Sequence, residues 1–171
     1  DLLGAYQKKN GTTAIHVIKA LKGFTVSDNQ LQKGLLNVVK NTNLKGRWQT
    51  LQVAPRVICD TAHNKEGLYY VMHQLASLPA KKLHIVLGVV TDKKLEEILP
   101  LFPQDASYYF CKPNIPRGLD EQVLQSKANH FGLLGSTYNS VNEAYLAAIS
   151  NAEKEDVVFV GGSTFVVGEV V

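Results

Sequence analysis

Two apolar runs that do not alternate, Ile85-Val86-Leu87 and Val157-Val158-Phe159-Val160, constrain this chain more than any other feature. A strand with one wet face alternates polar and apolar residues. A run that is apolar at every position is covered on both faces, as the inner strands of a parallel sheet are. Around these runs lie segments with helical spacing. Residues 66–78 carry Leu68, Val71, Met72 and Leu75 on one face, and residues 120–131 follow a capping Asp120. Ser140 and Glu143 have capping-box spacing ahead of Val141, Ala144, Tyr145, Ala148 and Ile149. Residues 53–60 (with Pro55 near the start), 83–90, 107–111, 157–160 and, more weakly, 133–138 read as strands, and 93–99 as a short helix. Strand and helix alternate throughout. The expected fold class is therefore α/β, a Rossmann-like doubly wound, mostly parallel sheet.

The first part of the chain has a different period. Ala14, Val17, Ile18 and Leu21 follow the polar start Asn10-Gly11-Thr12, and Gly23 ends that helix. A capping box at Ser27 and Gln30 opens a second helix, whose stripe is Leu31, Leu35 and Val38 or Val39. Asn41-Thr42-Asn43-Leu44-Lys45-Gly46 has the composition of a connector. The chain is thus expected to divide into a helical part, residues 1–45, and an α/β domain, residues 46–171.

Composition excludes several function classes. A net charge of +3, from 18 basic and 15 acidic residues, is no footprint for nucleic acid. The longest apolar run, residues 83–90, falls far short of the roughly 20 residues that cross a bilayer. Asp1-Leu2-Leu3-Gly4 has neither a basic start nor a long apolar stretch, so no signal peptide is read, and the lack of an initial Met points to a piece of a longer chain. Cys59 and Cys111 each end an apolar run and read as buried free thiols in a reducing, cytoplasmic setting. No Cys-x-x-Cys occurs and the five histidines lack zinc-type spacing, so no metal site is expected in this chain.

Doubly wound sheets bind ligands at the carboxyl ends of their strands. After the first expected strand, Asp60-Thr61-Ala62-His63-Asn64 sets an acid, a hydroxyl, an imidazole and a carboxamide beside a helix N-terminus able to hold an anion. The plainer alternative has Asp60 and Thr61 capping that helix and His63 solvated in its first turn. The spacing Gly-x-Gly-x-x-Gly is absent, which removes the main support for a nicotinamide or flavin cofactor. Thr91-Asp92-Lys93-Lys94 follows the second strand, either as a capped helix start with solvated lysines or as a ligand-facing turn. After the last strand, the glycines of Gly161-Gly162-Ser163-Thr164 permit close backbone approach, and its hydroxyls suit a carboxylate or phosphate; a simple tight turn is the alternative. Gly46-Arg47-Trp48-Gln49 places a guanidinium at the expected hinge, where its planar fork would clamp phosphate. Residues 114–118, Asn-Ile-Pro-Arg-Gly, form a rigid loop after the third strand.

Taken in order, Leu3-Gly4-Ala5-Tyr6-Gln7 with Asn10, Gly46-Arg47-Trp48-Gln49, Asp60-Thr61-Ala62-His63-Asn64, Gly88-Val89-Val90-Thr91-Asp92-Lys93, Pro116-Arg117 and the segment from Gly162 to Glu169 resemble the C-terminal part of folylpolyglutamate synthases. Those enzymes are often dihydrofolate synthases as well and belong to the Mur ligase superfamily. The resemblance implies an ATP-dependent ligase that adds L-glutamate to tetrahydrofolate or dihydropteroate through an acyl phosphate. It implies that Asn10 contacts adenine, Arg47 the ATP phosphates and Asp60 the ribose hydroxyls. By the same resemblance His63 lines the active-site cleft as the catalytic candidate, and Ser163 and Lys93 hold the incoming glutamate. Lys65 stands where the family usually has Pro, and Tyr6 where His is common. The family's phosphate-binding loop and Mg²⁺ ligands lie in an N-terminal domain and are not found here, so this chain is not expected to turn over alone. Its partners are expected to be small molecules only, with no nucleic acid and no membrane, and the protein to be a monomer. The competing readings are another Mur-type ligase, acting on a cell-wall precursor, and a non-catalytic α/β binding module. The module reading expects Arg47, Asp60, His63 and Ser163 to be scattered.

Overall fold

The computed structural model describes residues 1–171. Its first part is helical: α1 is Gln7–Ala20, α2 Asp28–Leu36 and α3 Val38–Thr42. Helix α1 starts ahead of the polar stretch expected to precede it. Thr12 and Thr13 turn their hydroxyls back onto the carbonyls of Lys8 and Lys9, which lets them sit inside a helix. The capping box of α2 forms in full, with Ser27 accepting from the Gln30 amide and the Gln30 side chain accepting from the Ser27 amide. Asn43, at φ 53°, ends α3 in the left-handed conformation. None of the three helices contains a buried residue. Between α1 and α2 lies an apolar hollow of about 360 Å³, lined by Ile18, Leu21, Phe24, Val26, Leu31 and Leu35 among others.

The α/β part runs β1 Gln49–Val53, β2 Arg56–Cys59, α4 Lys65–Ala76, β3 Leu83–Leu87, α5 Leu95–Ile98, β4 Ser107–Cys111, α6 Glu121–Asn129, β5 Gly135–Tyr138, α7 Val141–Asn151, β6 Val157–Gly161 and α8 Thr164–Gly168. The six strands form one sheet in the order β1-β2-β6-β3-β4-β5. Every pairing is parallel except β1 with β2. The expected doubly wound, mostly parallel sheet is therefore present. The expected strand 53–60 is present as β2, which begins only after Pro55, and an additional strand, β1, precedes it and pairs with it as a hairpin. Pro55 has no N–H for a ladder, so the chain turns at Ala54 and Pro55, and the Gln52 side-chain amide donates to both of their carbonyls. The expected helix 93–99 is cut to α5, followed by a single 3₁₀ turn at Leu99–Leu101.

Alternate residues of each inner strand serve opposite faces. Ile58, Ile85, Leu87, Tyr108, Phe110 and Phe159 pack with Leu68, Val71 and Leu75 of α4 and Leu124 of α6. Val57, Cys59, Val86, Tyr109, Cys111, Val158 and Val160 pack with Val141, Ala144 and Ala148 of α7 and Val166 and Val167 of α8. Both faces are dry, which is why these strands read as continuous apolar runs. Asp120 caps α6 through the Gln122 and Val123 amides, and Ser140 caps α7 through the Glu143 amide. Cys59 and Cys111 are buried free thiols; burial pushes the Cys59 thiol up to about 12 and raises that of Cys111 as well.

On the outer strand β5, Gly135 lies opposite Tyr108, and a methyl group there would run into the Tyr108 carbonyl. Gly135→Ala is expected to lose about 1–3 kcal/mol as β5 is forced away from β4. A urea titration followed by circular dichroism checks this; an unchanged midpoint would show that the strand shifts freely.

Candidate functional site

Strands β2, β6 and β3 are adjacent and parallel, so their carboxyl ends emerge side by side. The Asp60 amide donates to the Val160 carbonyl at 3.2 Å, and the Gly88 amide to the Gly161 carbonyl at 3.4 Å. Two of these strand ends press together. A methyl on Gly162, whose φ is +91°, would lie 2.7 Å from the Gly88 carbonyl, so only glycine fits.

The turn ahead of β1 is brought to the same edge because β1 pairs with β2, Gln49 lying opposite Cys59. The Thr61 amide donates to the Gly46 carbonyl at 2.9 Å, and the Gln49 side-chain oxygen accepts from the Gly46 amide at 2.8 Å. Trp48 is buried and sits at φ +48°, a strained conformation for a bulky residue. Its amide is held at 2.7 Å by Asp60 Oδ2. The Tyr6 hydroxyl donates to that same oxygen at 2.7 Å, and the Ala62 amide donates to Oδ1 at 2.8 Å. With 1% of its surface exposed, Asp60 is thus the node that ties the segment before α1, the Arg47 turn and the strand end together. Burial raises its carboxyl above the ordinary range, while the three donors and the Arg47 guanidinium pull it back down.

These elements enclose a cleft of about 180 Å³ lined by Tyr6, Arg47, Asp60, Thr61, Ala62, His63, Asn64, Gly67 and Thr164. Arg47 is half-buried, and its only hydrogen bond is a long one, 3.4 Å, to the Gly46 carbonyl. The His63 ring holds the Thr61 carbonyl through Nδ1 at 3.0 Å, which leaves Nε2 for another partner. Asn64 caps α4 by accepting from the Gly67 amide. The plainer reading, in which Asp60 and Thr61 cap that helix, is therefore overturned: both lie before the cap, and Asp60 faces the Trp48 turn. A guanidinium and the N-terminus of a twelve-residue helix suit an anion at this cleft, and a carboxylate beside them suits a hydroxyl donor.

The remaining candidates lie outside the lining. Ser163 is buried and caps α8 by accepting from the Phe165 amide, while its neighbour Thr164 reaches the cleft. Lys93 lies on a turn pinned to the loop 114–118 by the Val90–Gly118 bridge and by the Thr91 amide, which donates to the Arg117 carbonyl. Asn10 is exposed on α1, one turn beyond Tyr6, and its side chain donates to Gln7 at 3.2 Å. The cleft residue that sequence reasoning left without a role is Tyr6. Its signal was its place in the resembling segment Leu3-Gly4-Ala5-Tyr6-Gln7, four residues before Asn10, where His is common.

The model of the family described as Mur ligase, glutamate ligase domain, matches residues 46–164. The dihydrofolate synthase/folylpolyglutamate synthase of Escherichia coli is 32% identical over 164 residues, covering 94% of this chain and 36% of the relative. Among solved structures, E. coli FolC in complex with DHPP and ADP superposes with a TM-score of 0.82 at 30% identity, covering 94% of this chain and 37% of that one. A bifunctional folylpolyglutamate synthase/dihydrofolate synthase with Mn, AMPPNP and L-glutamate bound gives 0.77 at 26% identity, covering 92% and 37%. This chain spans about a third of the length of each. With residues 46–164 matching the family model and the fold superposing on these structures, the chain belongs to the Mur ligase glutamate ligase domain family.

Proposed function

We propose that this chain is the C-terminal, glutamate-binding part of an ATP-dependent ligase that adds L-glutamate to a folate, to dihydropteroate, or to both. The observation that carries this reading is the convergence of Arg47, Asp60 and His63 on one cleft at the carboxyl end of β2, beside the start of α4. The same convergence counts against a non-catalytic module with scattered residues. At about 180 Å³ the cleft is smaller than the roughly 300–1,000 Å³ of a complete small-molecule site, as befits one wall of a site that closes against a second domain.

In this reading a substrate carboxylate attacks the γ-phosphorus of ATP, releasing ADP and leaving an acyl phosphate. The amine of glutamate then attacks the acyl carbon, phosphate departs and an amide forms. Arg47 binds phosphate oxygens with its fork and Asp60 takes the ribose hydroxyls. His63 presents Nε2 to the reacting end of the cleft. Asn10 contacts adenine, and Ser163 and Lys93 hold glutamate where β6 and β3 end. No trio of His, Cys, Asp or Glu side chains in this chain is arranged for a cation, so the reading draws the ligands of the divalent ion from elsewhere in the protein. The uncovered apolar residues of α1, α2 and the connection between them, with Val17 55%, Leu36 60% and Phe24 72% exposed, support assigning residues 1–45 to a larger central domain that covers them. No helix is long and apolar enough to cross a membrane, and the two buried free thiols favour the cytoplasm.

The test is ATP-dependent incorporation of labelled L-glutamate by the full-length protein, with dihydropteroate, tetrahydrofolate and a nucleotide-linked cell-wall precursor offered separately. Incorporation into a pterin is expected. Incorporation into the cell-wall precursor alone would assign the protein to the sister ligases, and none into any acceptor would overturn the ligase reading.

A further inference from the structure

The Tyr6 hydroxyl is bonded to the carboxylate assigned above to the ribose. Asp60 Oδ2 already accepts from the Trp48 amide, and the Tyr6 hydroxyl at 2.7 Å completes that oxygen's two acceptor positions. With Ala62 on Oδ1 and 1% of the residue exposed, a ribose diol reaches Oδ2 only if Tyr6 withdraws. Tyr6 belongs to a segment that is itself strapped to the α/β domain. The Ala5 amide donates to Gln74 Oε1 at 2.6 Å, Gln74 Nε2 donates to the Leu3 carbonyl at 3.0 Å, and Lys9 contacts the Tyr70 hydroxyl. Gln74 and Tyr70 lie on α4, the helix whose N-terminus borders the cleft. Gly4 shapes the strap, because a methyl there would lie 2.8 Å from the Tyr6 ring.

We propose that Tyr6 is a gate on Asp60: its hydroxyl and the ribose diol of the nucleotide exchange on Oδ2, so that nucleotide entry loosens the strap of residues 3–9 from α4. The inference rests on the assignment of Asp60 to the ribose and adds a positioning residue to it. Because Oδ2 must first be vacated, the apparent affinity for a nucleotide whose diol binds there is lowered by the fraction of molecules with Tyr6 in place. A nucleotide without the diol has no use for Oδ2 and does not meet this competition.

The experiment measures dissociation constants of ADP and 2′,3′-dideoxy-ADP by calorimetry on the full-length protein and its Tyr6→Phe variant. The variant keeps the ring and removes the hydroxyl. ADP is expected to bind about tenfold more tightly to Tyr6→Phe, the size of effect that one hydrogen bond to a charged group supports, with dideoxy-ADP unchanged. If both proteins prefer ADP by the same factor, the ribose assignment stands and the gate falls. If neither distinguishes the two nucleotides, Asp60 is not the ribose ligand and the gate falls with that assignment. A purely structural role for Tyr6 would shift both nucleotides together, which also overturns the gate. Deuterium uptake in a peptide covering residues 3–9 reads the strap directly. It is expected to rise in the native protein with ADP and not with dideoxy-ADP, and no rise with ADP would overturn the coupling.

Discussion

Asp60→Ala is expected to cost the fold about 3–5 kcal/mol, more than any other single change at the cleft. Three donors converge on this carboxylate: the Tyr6 hydroxyl and the amides of Trp48 and Ala62. Alanine leaves all three without an acceptor, and an unsatisfied buried donor costs about 1–3 kcal/mol. The loss concentrates where strain is stored, since the Trp48 turn at φ +48° is held by the bond that disappears. Asp60→Asn keeps one oxygen, which can still serve Trp48 and Tyr6, but turns an NH₂ toward the Ala62 amide. It is therefore expected to fall between the native protein and Asp60→Ala. Urea unfolding of the three proteins gives the order. An Asp60→Ala variant within 1 kcal/mol of the native protein would show that the three donors find water instead.

Arg47→Ala is expected to do the opposite, leaving stability nearly untouched while lowering kcat/KM for ATP by about 100-fold or more in the full-length protein. The guanidinium has a single long bond to the Gly46 carbonyl, so little of the fold depends on it. Its charge and planar donors face a cleft with no other Lys or Arg in its lining. Losing a charge-assisted contact to transferring phosphate oxygens costs roughly 2–3 kcal/mol in the transition state. Arg47→Lys restores the charge but not the fork, and partial recovery is expected. Steady-state kinetics beside a melting curve separates the effects. Full activity in Arg47→Ala would remove Arg47 from the nucleotide site.

How much was legible in the sequence follows the range of the forces involved. The inner strands β3, β4 and β6 could be read because double-sided burial writes itself as an unbroken apolar run. The expected strand 53–60 is present as β2, but its edge partner β1 gives no strand signal, because the sequence Gln-Thr-Leu-Gln-Val carries only a weak, solvated pattern. Asp60 and His63 were found together because they share one strand end. Arg47 joined them through the β1–β2 pairing, a contact of moderate sequence separation. Lys93 and Ser163 sit at the ends of β3 and β6 as expected, yet neither reaches the cleft, because the 114–118 loop pins the Lys93 turn and α8 keeps the Ser163 hydroxyl as its cap. The Tyr6–Asp60 bond joins residues 54 positions apart, and no local pattern encodes it.

The two margins of the sheet have a consequence for how the protein behaves at high concentration. A long, flat, apolar margin offers unpaired backbone groups on which a stray chain can add itself and start a fibre. Here one margin is β1, whose pairing with β2 is interrupted by an irregularity between Thr50 and Gln52 and stops at a proline turn. The other is β5, four residues long, beginning Gly-Ser-Thr. Each is too short, bent or polar to template a neighbour, so the apolar interior of the sheet comes with little tendency toward edge-to-edge polymerisation.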